Sequence, residues 1–400
     1  MTRTPGASSQ ALYLVVATGS AQLLVAVSYI LAARGTDPGS FGAVAAAIAL
    51  GTSLIGIVDF GAGSLWVRSL TARELTIEEV TRRSFWKAVL AFVIATLATA
   101  VVIWTQQPLE YIGLGLIFLA STGAQLAQVP LRAAARSDRV AFAIALSRIA
   151  GFGVLIGMTH LQVPSTTALW VSLVVNGAVE TVLYLLFTPV AHRFRRGSLR
   201  LVNPWKGSLH FGVYSVATSA QSLDVPILTL AAGPAAAGAY AAVNRWTQPL
   251  GLAVGGFTSA SAPFVARARN VGAAWASIKK ATWMLGAALA CCIAAFFLAQ
   301  VLVPLLLGER YTSAVTVFQI MALGTIPALL NQPLAVFSQM RGGDKAVGVV
   351  TGFGVAARLA ATFFLSAWLG ASGGALAFAL SQVLLLGGLI IVLVRTARKE

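Results

Sequence analysis

Six ionisable side chains stand inside long apolar stretches of this sequence, where charged residues are rare. A charge at the centre of a hydrocarbon layer costs about 2.5–3.5 kcal/mol on insertion scales, so it normally faces water or an opposite charge. Side chains of this kind either stabilise a bundle of helices as ion pairs or bind and move a charged or polar ligand. The six are Asp59, Arg148, Glu180, Asp224, Arg245 and Arg358.

Asp224 and Arg245 occupy matching positions on the two arms of one apolar hairpin. With the turn at Gly233–Ala236, Asp224 lies nine residues before it and Arg245 nine residues after it. At about 1.5 Å per helical residue, both lie roughly 13 Å from the turn, which predicts a mutually neutralising pair. Pro226 and Pro249 follow the two charges closely, and proline bends helices of the kind that line moving cavities. A static ion pair and a role of Asp224 in coupling or gating therefore both stay open.

The other two acids also have a structural and a functional interpretation. Arg148 and Glu180 lie at equal depth on consecutive apolar segments, which predicts a structural ion pair, with a transport role as the alternative. Asp59 lies towards the inner end of its segment. There it either caps a cavity entrance, as a coupling or gating group, or pairs with a base that the sequence does not identify.

Arg358 lies near the middle of its segment, with no acid at the same depth. Either its guanidinium faces water and receives an anion, or it bonds backbone carbonyls and polar groups. Arg245, Asn244 and Gln248 are further candidates for substrate binding, because bases bind phosphate groups and amides bind hydroxyls. Amide side chains also bridge helices through hydrogen bonds, so a packing role is the alternative for Asn244 and Gln248.

The elements that position these residues are long apolar segments. The chain of 400 residues is 58% hydrophobic and 10% charged, with mean hydropathy +0.84, whereas soluble domains carry about 25% charged residues. The sequence therefore predicts an all-α integral membrane protein, because each segment is long enough to cross a hydrocarbon layer about 30 Å thick. Twelve transmembrane helices are predicted, at 11–33, 41–66, 86–105, 111–131, 140–160, 166–189, 207–232, 236–265, 281–307, 313–340, 346–369 and 371–394.

The distribution of Lys and Arg predicts the orientation. With the N-terminus in the cytoplasm, 23 of the 28 bases fall on the cytoplasmic side, and the outer loops hold only Arg34 and Arg310. The positive-inside rule then places both termini in the cytoplasm. We interpret the net charge of +16 as a consequence of topology and of contact with anionic membrane lipids, not as a sign of nucleic-acid binding.

Residues 68–85 form the longest predicted inner connection. Thr76 and Glu79 have the spacing of a capping box, so a short helix on the membrane surface is predicted there. The next transmembrane segment is then expected to begin at 86, and Arg83 and Lys87 count as cytoplasmic bases.

The two halves of the chain repeat weakly. Phe41 and Tyr240 both stand early in an apolar segment, and Arg68 and Arg267 both end one, each pair 199 residues apart. Six helices per half keep both halves in one orientation, which predicts a parallel repeat and two six-helix lobes around a central cavity. The predicted domains are an N-terminal lobe at 1–190, a cytoplasmic linker at 191–206 and a C-terminal lobe at 207–400.

Nothing in the sequence predicts a catalytic or metal centre. Loops are too short to hold a soluble catalytic domain, the three histidines are far apart, and Cys291 and Cys292 lack metal-ligand spacing. We therefore expect no enzyme activity and no cofactor.

The stretch ARGTDPGSFGAVAAAIALGTSLIGIVDFGAGSLWVRSL resembles the opening of the polysaccharide flippases, the Wzx-like branch of the MATE/MurJ (MOP) transporter superfamily. In that family a Gly- and Pro-containing turn precedes a Phe/Tyr-Gly pair, and the second helix ends in an acid-apolar-Gly element and an Arg. Segments 305–327 and 368–382 resemble later parts of the family. The matching residues are Phe41, Gly42, Asp59, Phe60, Gly61 and Arg68 in the first half and Asp224, Gly233, Gly238, Tyr240 and Arg245 in the second.

The resemblance implies a flippase that moves a polyprenyl-pyrophosphate-linked oligosaccharide from the inner to the outer leaflet, by alternating access. It places the protein in a bacterial-type inner membrane, in a pathway whose glycosyltransferases or polymerase are candidate partners. Two alternatives stay open: a MATE-like, ion-coupled exporter of drugs or metabolites, and a membrane scaffold of a polysaccharide assembly complex that transports nothing.

Overall fold

The computed structural model describes residues 7–106, 111–194, 200–245, 251, 254, 283–340 and 343–397. Within these ranges the regular structure is helical, with short 3₁₀ turns at Val190–His192, Gln221–Leu223 and Glu309–Tyr311. The helices are α1 (Ala7–Arg34), α2 (Pro38–Asp59), α3 (Ala62–Thr71), α4 (Ile77–Trp104), α5 (Ile112–Ala133), α6 (Ser137–His160), α7 (Ser165–Phe187), α8 (Leu209–Ala220), α9 (Asp224–Ala232), α10 (Pro234–Asn244), α11 (Trp283–Leu307), α12 (Ala314–Met340), α13 (Asp344–Leu369) and α14 (Ala371–Ala397).

The predicted all-α membrane fold is confirmed. In the described part of the chain, nine helices are long and apolar enough to cross a membrane: α2, α4, α5, α6, α7, α11, α12, α13 and α14. Large apolar side chains such as Phe92, Leu97 and Phe297 are exposed on these helices, as expected for surfaces that contact lipid. The count of twelve stays a prediction, because most of the predicted segment 236–265 lies outside the described residues.

The capping box at Thr76 forms as predicted, but the short surface helix does not. Thr76 Oγ1 accepts a hydrogen bond from Glu79 N, and Thr76 N donates to Glu79 Oε2, both at 3.2 Å. The helix that starts there runs without interruption to Trp104, because no glycine or proline stops it. The prediction of a separate surface helix was therefore wrong, and Arg83 and Lys87 lie buried on this long helix.

The predicted segment 41–66 is broken between α2 and α3. Phe60 and Gly61 both have positive φ, at 44° and 68°, which ends α2 at Asp59. A Cβ on Gly61 would overlap the backbone of Phe211, so this corner is shaped by the close approach of α8. Trp205 Nε1 donates to Val58 O at 2.9 Å and fixes the segment before α8 to the same corner.

The chain forms two compact units. Unit 1 comprises Met1–Thr36 and Ala43–Pro226, and unit 2 comprises Asp37–Gly42 and Ile227–Glu400. One buried cluster of unit 1 joins α5, α6 and α7 around Leu131 and Tyr184, while in unit 2 α13 and α14 pack through Val347 and Leu389. The division into lobes at 1–190 and 207–400 with a linker between them stays a prediction.

Unit 2 contains a reciprocal glycine crossing between the first turn of α2 and α10. A Cβ on Gly42 would overlap the carbonyl oxygen of Pro234, and a Cβ on Gly238 would overlap that of Pro38. Only glycine permits this approach of two backbones. Each glycine follows its proline by four residues, and the two Pro-Gly pairs are 196 residues apart. The two turns that meet in this crossing are therefore three residues closer in the sequence than the 199-residue repeat inferred from the sequence.

Candidate functional site

The base that pairs with Asp59 is Lys87. Asp59 is the last residue of α2, and Lys87 on α4 donates its Nζ to Asp59 Oδ1, while Gly63 N donates to the same oxygen at 3.2 Å. Lys87 is only 1% exposed and Asp59 4%. The ammonium group also lies 5.4 Å from the centroid of the Trp66 ring, so an aromatic face and a carboxylate replace its water.

A polar cavity of about 230 Å³ lies beside this ion pair, between the α2–α3 corner and the last turns of α5. Gln125 is one of its lining residues, and Gln125 Oε1 is buried with no hydrogen-bond partner among the residues that the structure describes. An unsatisfied buried acceptor is unfavourable, which makes this amide notable. The lining residues are Asp59, Gly63, Ser64, Val67, Gln125, Gln128, Val129 and Arg132.

The charges at the cavity are unequally compensated. Lys87 neutralises Asp59 from behind the wall of the cavity. Arg132 is exposed, and within the described ranges it takes part in no ion pair. The cavity therefore offers a free guanidinium and two amides from α5 and a neutralised carboxylate from the end of α2.

The structure brings Arg148 and Glu180 together. Arg148 Nη2 lies 3.3 Å from Glu180 Oε1, and Ser147 Oγ donates to the same carboxylate oxygen at 3.1 Å. With the Asn176 amide oriented to suit its neighbours, its oxygen accepts from Arg148 Nη1 at 3.1 Å. Both charges of this pair lie on adjacent helices of unit 1, α6 and α7, and a role of the pair in transport stays a proposal.

Asp224 and Arg245 fall in different units. Asp224 is buried at the start of α9 in unit 1, where its Oδ1 accepts from Val225 N at 2.8 Å. Asn244 ends α10 and Arg245 follows it, both partly buried and both in unit 2. Gln248 lies outside the described residues. Pairing of Asp224 with Arg245 stays a prediction.

Arg358 is enclosed by neighbours from unit 2. It is 7% exposed on α13, and its Nη2 donates to Tyr240 Oη of α10 at 3.4 Å. Its Cζ lies 4.9 Å from the centroid of the Phe378 ring of α14. These contacts fit the alternative in which the guanidinium bonds polar and aromatic groups of its own lobe, and reception of an anion stays a proposal.

Sequence reasoning missed Lys87 and the residues that hold the segment before α8. Trp86 Nε1 donates to Arg200 O at 3.1 Å, and Arg83 Nη1 donates to Lys206 O at 3.3 Å. The predicted depths gave no signal for this pair, because Asp59 lies seven residues from the end of the predicted segment 41–66 and Lys87 only one residue from the start of the predicted segment 86–105. The two side chains meet because α2 ends at Asp59 and α4 already begins at Ile77.

Comparison with known families gives one match that covers most of the chain. A family model described as "Polysaccharide biosynthesis protein" matches residues 31–316. No curated protein matches the sequence significantly.

Solved structures of MOP-superfamily transporters share the fold. A lipid II flippase, MurJ, in an inward closed conformation superposes with TM-score 0.73 at 11% identity, over 97% of this chain and 90% of that one. An inward-facing multidrug resistance MATE transporter gives TM-score 0.63 at 15% identity, over 94% and 95%. A MOP transporter from Pyrococcus furiosus, described as having a binding pocket of reverse polarity, gives TM-score 0.55 at 16% identity, over 98% of this chain and 96% of that one. At these identities the likeness establishes the fold and nothing finer.

Proposed function

The chain is a multi-pass membrane protein that belongs to the polysaccharide biosynthesis protein family, and from that membership we propose that it is a flippase for a lipid-linked oligosaccharide. The substrate is a polyprenyl-pyrophosphate-linked glycan, moved from the inner to the outer leaflet of a bacterial-type cytoplasmic membrane. The observation that carries the proposal is the family match over residues 31–316, and the likeness of fold to a lipid II flippase supports it.

The physical task of such a protein is to shelter a charged and hydroxylated headgroup from hydrocarbon while the lipid tail stays in the bilayer. Alternating access achieves this by rearrangement of helices, with no bond made or broken. Polar groups held inside a bundle of apolar helices suit the task. The Asp59–Lys87 and Arg148–Glu180 pairs, with the cavity beside Asp59, are such groups.

Residues for the pyrophosphate and the sugars are part of the proposal. Arg358 and Arg245 are proposed to receive the pyrophosphate, and Asn244 and Gln248 to bind hydroxyls, with Asp224 and Asp59 as coupling or gating groups. In the conformation described, the Arg358 side chain is buried and contacts Tyr240 and Phe378. We therefore propose that Arg358 receives the anion in another state of the transport cycle.

An exporter of cationic drugs is the alternative, because a MATE transporter also shares the fold. A cation needs acids that are available to it. Asp59 is in contact with Lys87 and Glu180 with Arg148, so neither carboxylate offers an uncompensated charge. This pairing favours a substrate that is not a cation. A scaffold for glycosyltransferases is the second alternative, and it predicts no transport at all.

The proposed orientation has both termini in the cytoplasm, with the basic connections against anionic lipid. The cell interior is electrically negative, so outward movement of the pyrophosphate charge is favourable. The gain is about 2.3 kcal/mol per charge at 100 mV if the charge crosses uncompensated.

The proposal is tested by flipping in proteoliposomes that contain the purified full chain and a fluorescent polyprenyl-pyrophosphate-linked oligosaccharide. Flipping is measured by the accessibility of the headgroup to an added glycosidase, with and without an imposed potential. Protein-dependent flipping that accelerates with the outward-driving potential is expected. A rate equal to that of protein-free liposomes would refute the flippase, and efflux of a cationic dye by the same vesicles would favour the exporter.

A further inference from the structure

We propose that the cavity between the α2–α3 corner and α5 binds one sugar unit of the transported glycan, on the side of the membrane where α2 ends. This assignment rests on the proposed function, since it names the part of the headgroup that unit 1 recognises. It uses the described cavity within unit 1 and needs no contribution from unit 2.

The size of the cavity limits its occupant. Sites for drug-sized ligands usually measure about 300–1,000 Å³. At about 230 Å³ this cavity falls below that range and suits a single sugar ring or an inorganic ion, and a whole oligosaccharide does not fit. The cavity is therefore of the right size to bind one residue of a longer glycan.

The polar groups that line the cavity favour a sugar over an anion as the ligand. Arg132 supplies donors, and the amide of Gln128 supplies both donors and an acceptor. Gln125 also lines the cavity, and its buried Oε1 has no partner in the part of the chain that the structure describes, so this acceptor is available to a ligand once the amide turns towards the cavity. A sugar hydroxyl both donates and accepts, whereas a phosphate at neutral pH supplies mainly acceptors. A polyhydroxylated ligand therefore complements both kinds of group in the wall, whereas a phosphate complements mainly the donors.

The Asp59 carboxylate adds to this preference. Lys87 Nζ and Gly63 N both donate to Oδ1, which leaves Oδ2 unused by these two donors at the cavity wall. A carboxylate oxygen is a strong acceptor for hydroxyls, and a phosphate at neutral pH has few donors to offer it. Because Lys87 neutralises the charge of Asp59, a hydroxylated ring can bind there without bringing a counterion.

The test uses the full chain in lipid nanodiscs and a panel of methyl glycosides of hexoses, 6-deoxyhexoses and N-acetylhexosamines. Binding is measured by saturation-transfer NMR, which detects weak complexes. We expect at least one glycoside to bind and Gln125→Leu to weaken it about 10-fold, the usual scale for one lost hydrogen bond. Gln22→Leu, a substitution at a half-buried glutamine of α1 that does not line the cavity, is the matched control and is expected to bind as the parent does.

Thermal unfolding of the same variants distinguishes binding from packing. Because Gln125 Oε1 has no partner in the described structure, Gln125→Leu is expected to leave the empty protein as stable as the parent or more stable. A packing role would instead make this variant less stable. Equal binding by Gln125→Leu and the parent, or no binding of any glycoside to the parent, would overturn the assignment.

Inorganic pyrophosphate is the competing probe. If pyrophosphate binds and Arg132→Gln abolishes its binding while no glycoside competes, the cavity is an anion site and the sugar assignment is wrong. Failure of the flippase itself is recognised separately, since the parent protein would then bind a glycoside and show no flipping in proteoliposomes. Normal flipping with no glycoside binding would refute only the subsite.

Discussion

The buried Asp59–Lys87 pair gives the most demanding test of the structure. Lys87→Met leaves the Asp59 carboxylate without its base, and Asp59→Asn leaves a buried ammonium without its acid, while the amide keeps an oxygen for Gly63 N. Removal of one partner from a buried ion pair costs about 3–5 kcal/mol, whereas replacement of both partners is often neutral or stabilising. Each single variant should therefore lose about 3–5 kcal/mol of unfolding free energy, and the double variant should recover most of that loss.

The control is the Arg136–Asp138 pair at the start of α6, whose side chains are 16% and 20% exposed. Solvent screens such a pair, and cycles on exposed pairs give about 0.2–1 kcal/mol. Unfolding of all variants is followed by denaturant titration in mixed micelles. The coupling energy for Asp59 and Lys87 should exceed that of the control several-fold. Additive losses in the double variant, with no recovery, would contradict the burial argument.

The flipping rate of the double variant then shows whether the Asp59–Lys87 pair has only a structural role or also a role in transport. If the pair only stabilises unit 1, the double variant folds and flips the lipid-linked glycan at the parent rate. If Asp59 takes part in coupling or gating, the double variant regains stability and still flips slowly. The two measurements together assign the pair to one of these roles.

Three further predictions concern topology, packing and substrate. Cysteines introduced at Ala235 and Ser198 should react with impermeant labels from opposite sides of the membrane, with Ala235 outside; labelling from one side would contradict the orientation. Gly42→Ala and Gly238→Ala should each lower the melting temperature, because the added Cβ meets a backbone oxygen, and wild-type stability of either would contradict the crossing. Arg358→Ala should slow flipping with normal folded yield and Arg358→Lys should retain more activity, while parent-like flipping by Arg358→Ala would exclude this residue from transport.

The sequence was sufficient for the fold class, for the family resemblance and for contacts between residues at predictable spacings. Hydropathy and charge content predicted an all-α membrane protein, and the family resemblance drawn from short motifs agrees with the family match. The capping box at Thr76 was predicted correctly because it depends on residues three apart. Arg148 and Glu180 were predicted as neighbours because equal depth on consecutive helices leaves few other partners, and they lie 3.3 Å apart.

Tertiary structure decided what depends on rotation about a helix axis and on contacts between distant segments. The break at Phe60–Gly61 is set by the approach of α8. No pattern in the local sequence predicts it, since one of the two residues with positive φ is a phenylalanine. The partner of Asp59 and the neighbours of Arg358 were likewise fixed by packing. Hydropathy reports how deep a residue lies in the membrane, because the lipid environment varies along one axis only. It carries no information on which neighbour a side chain faces, and that choice is made when helices pack.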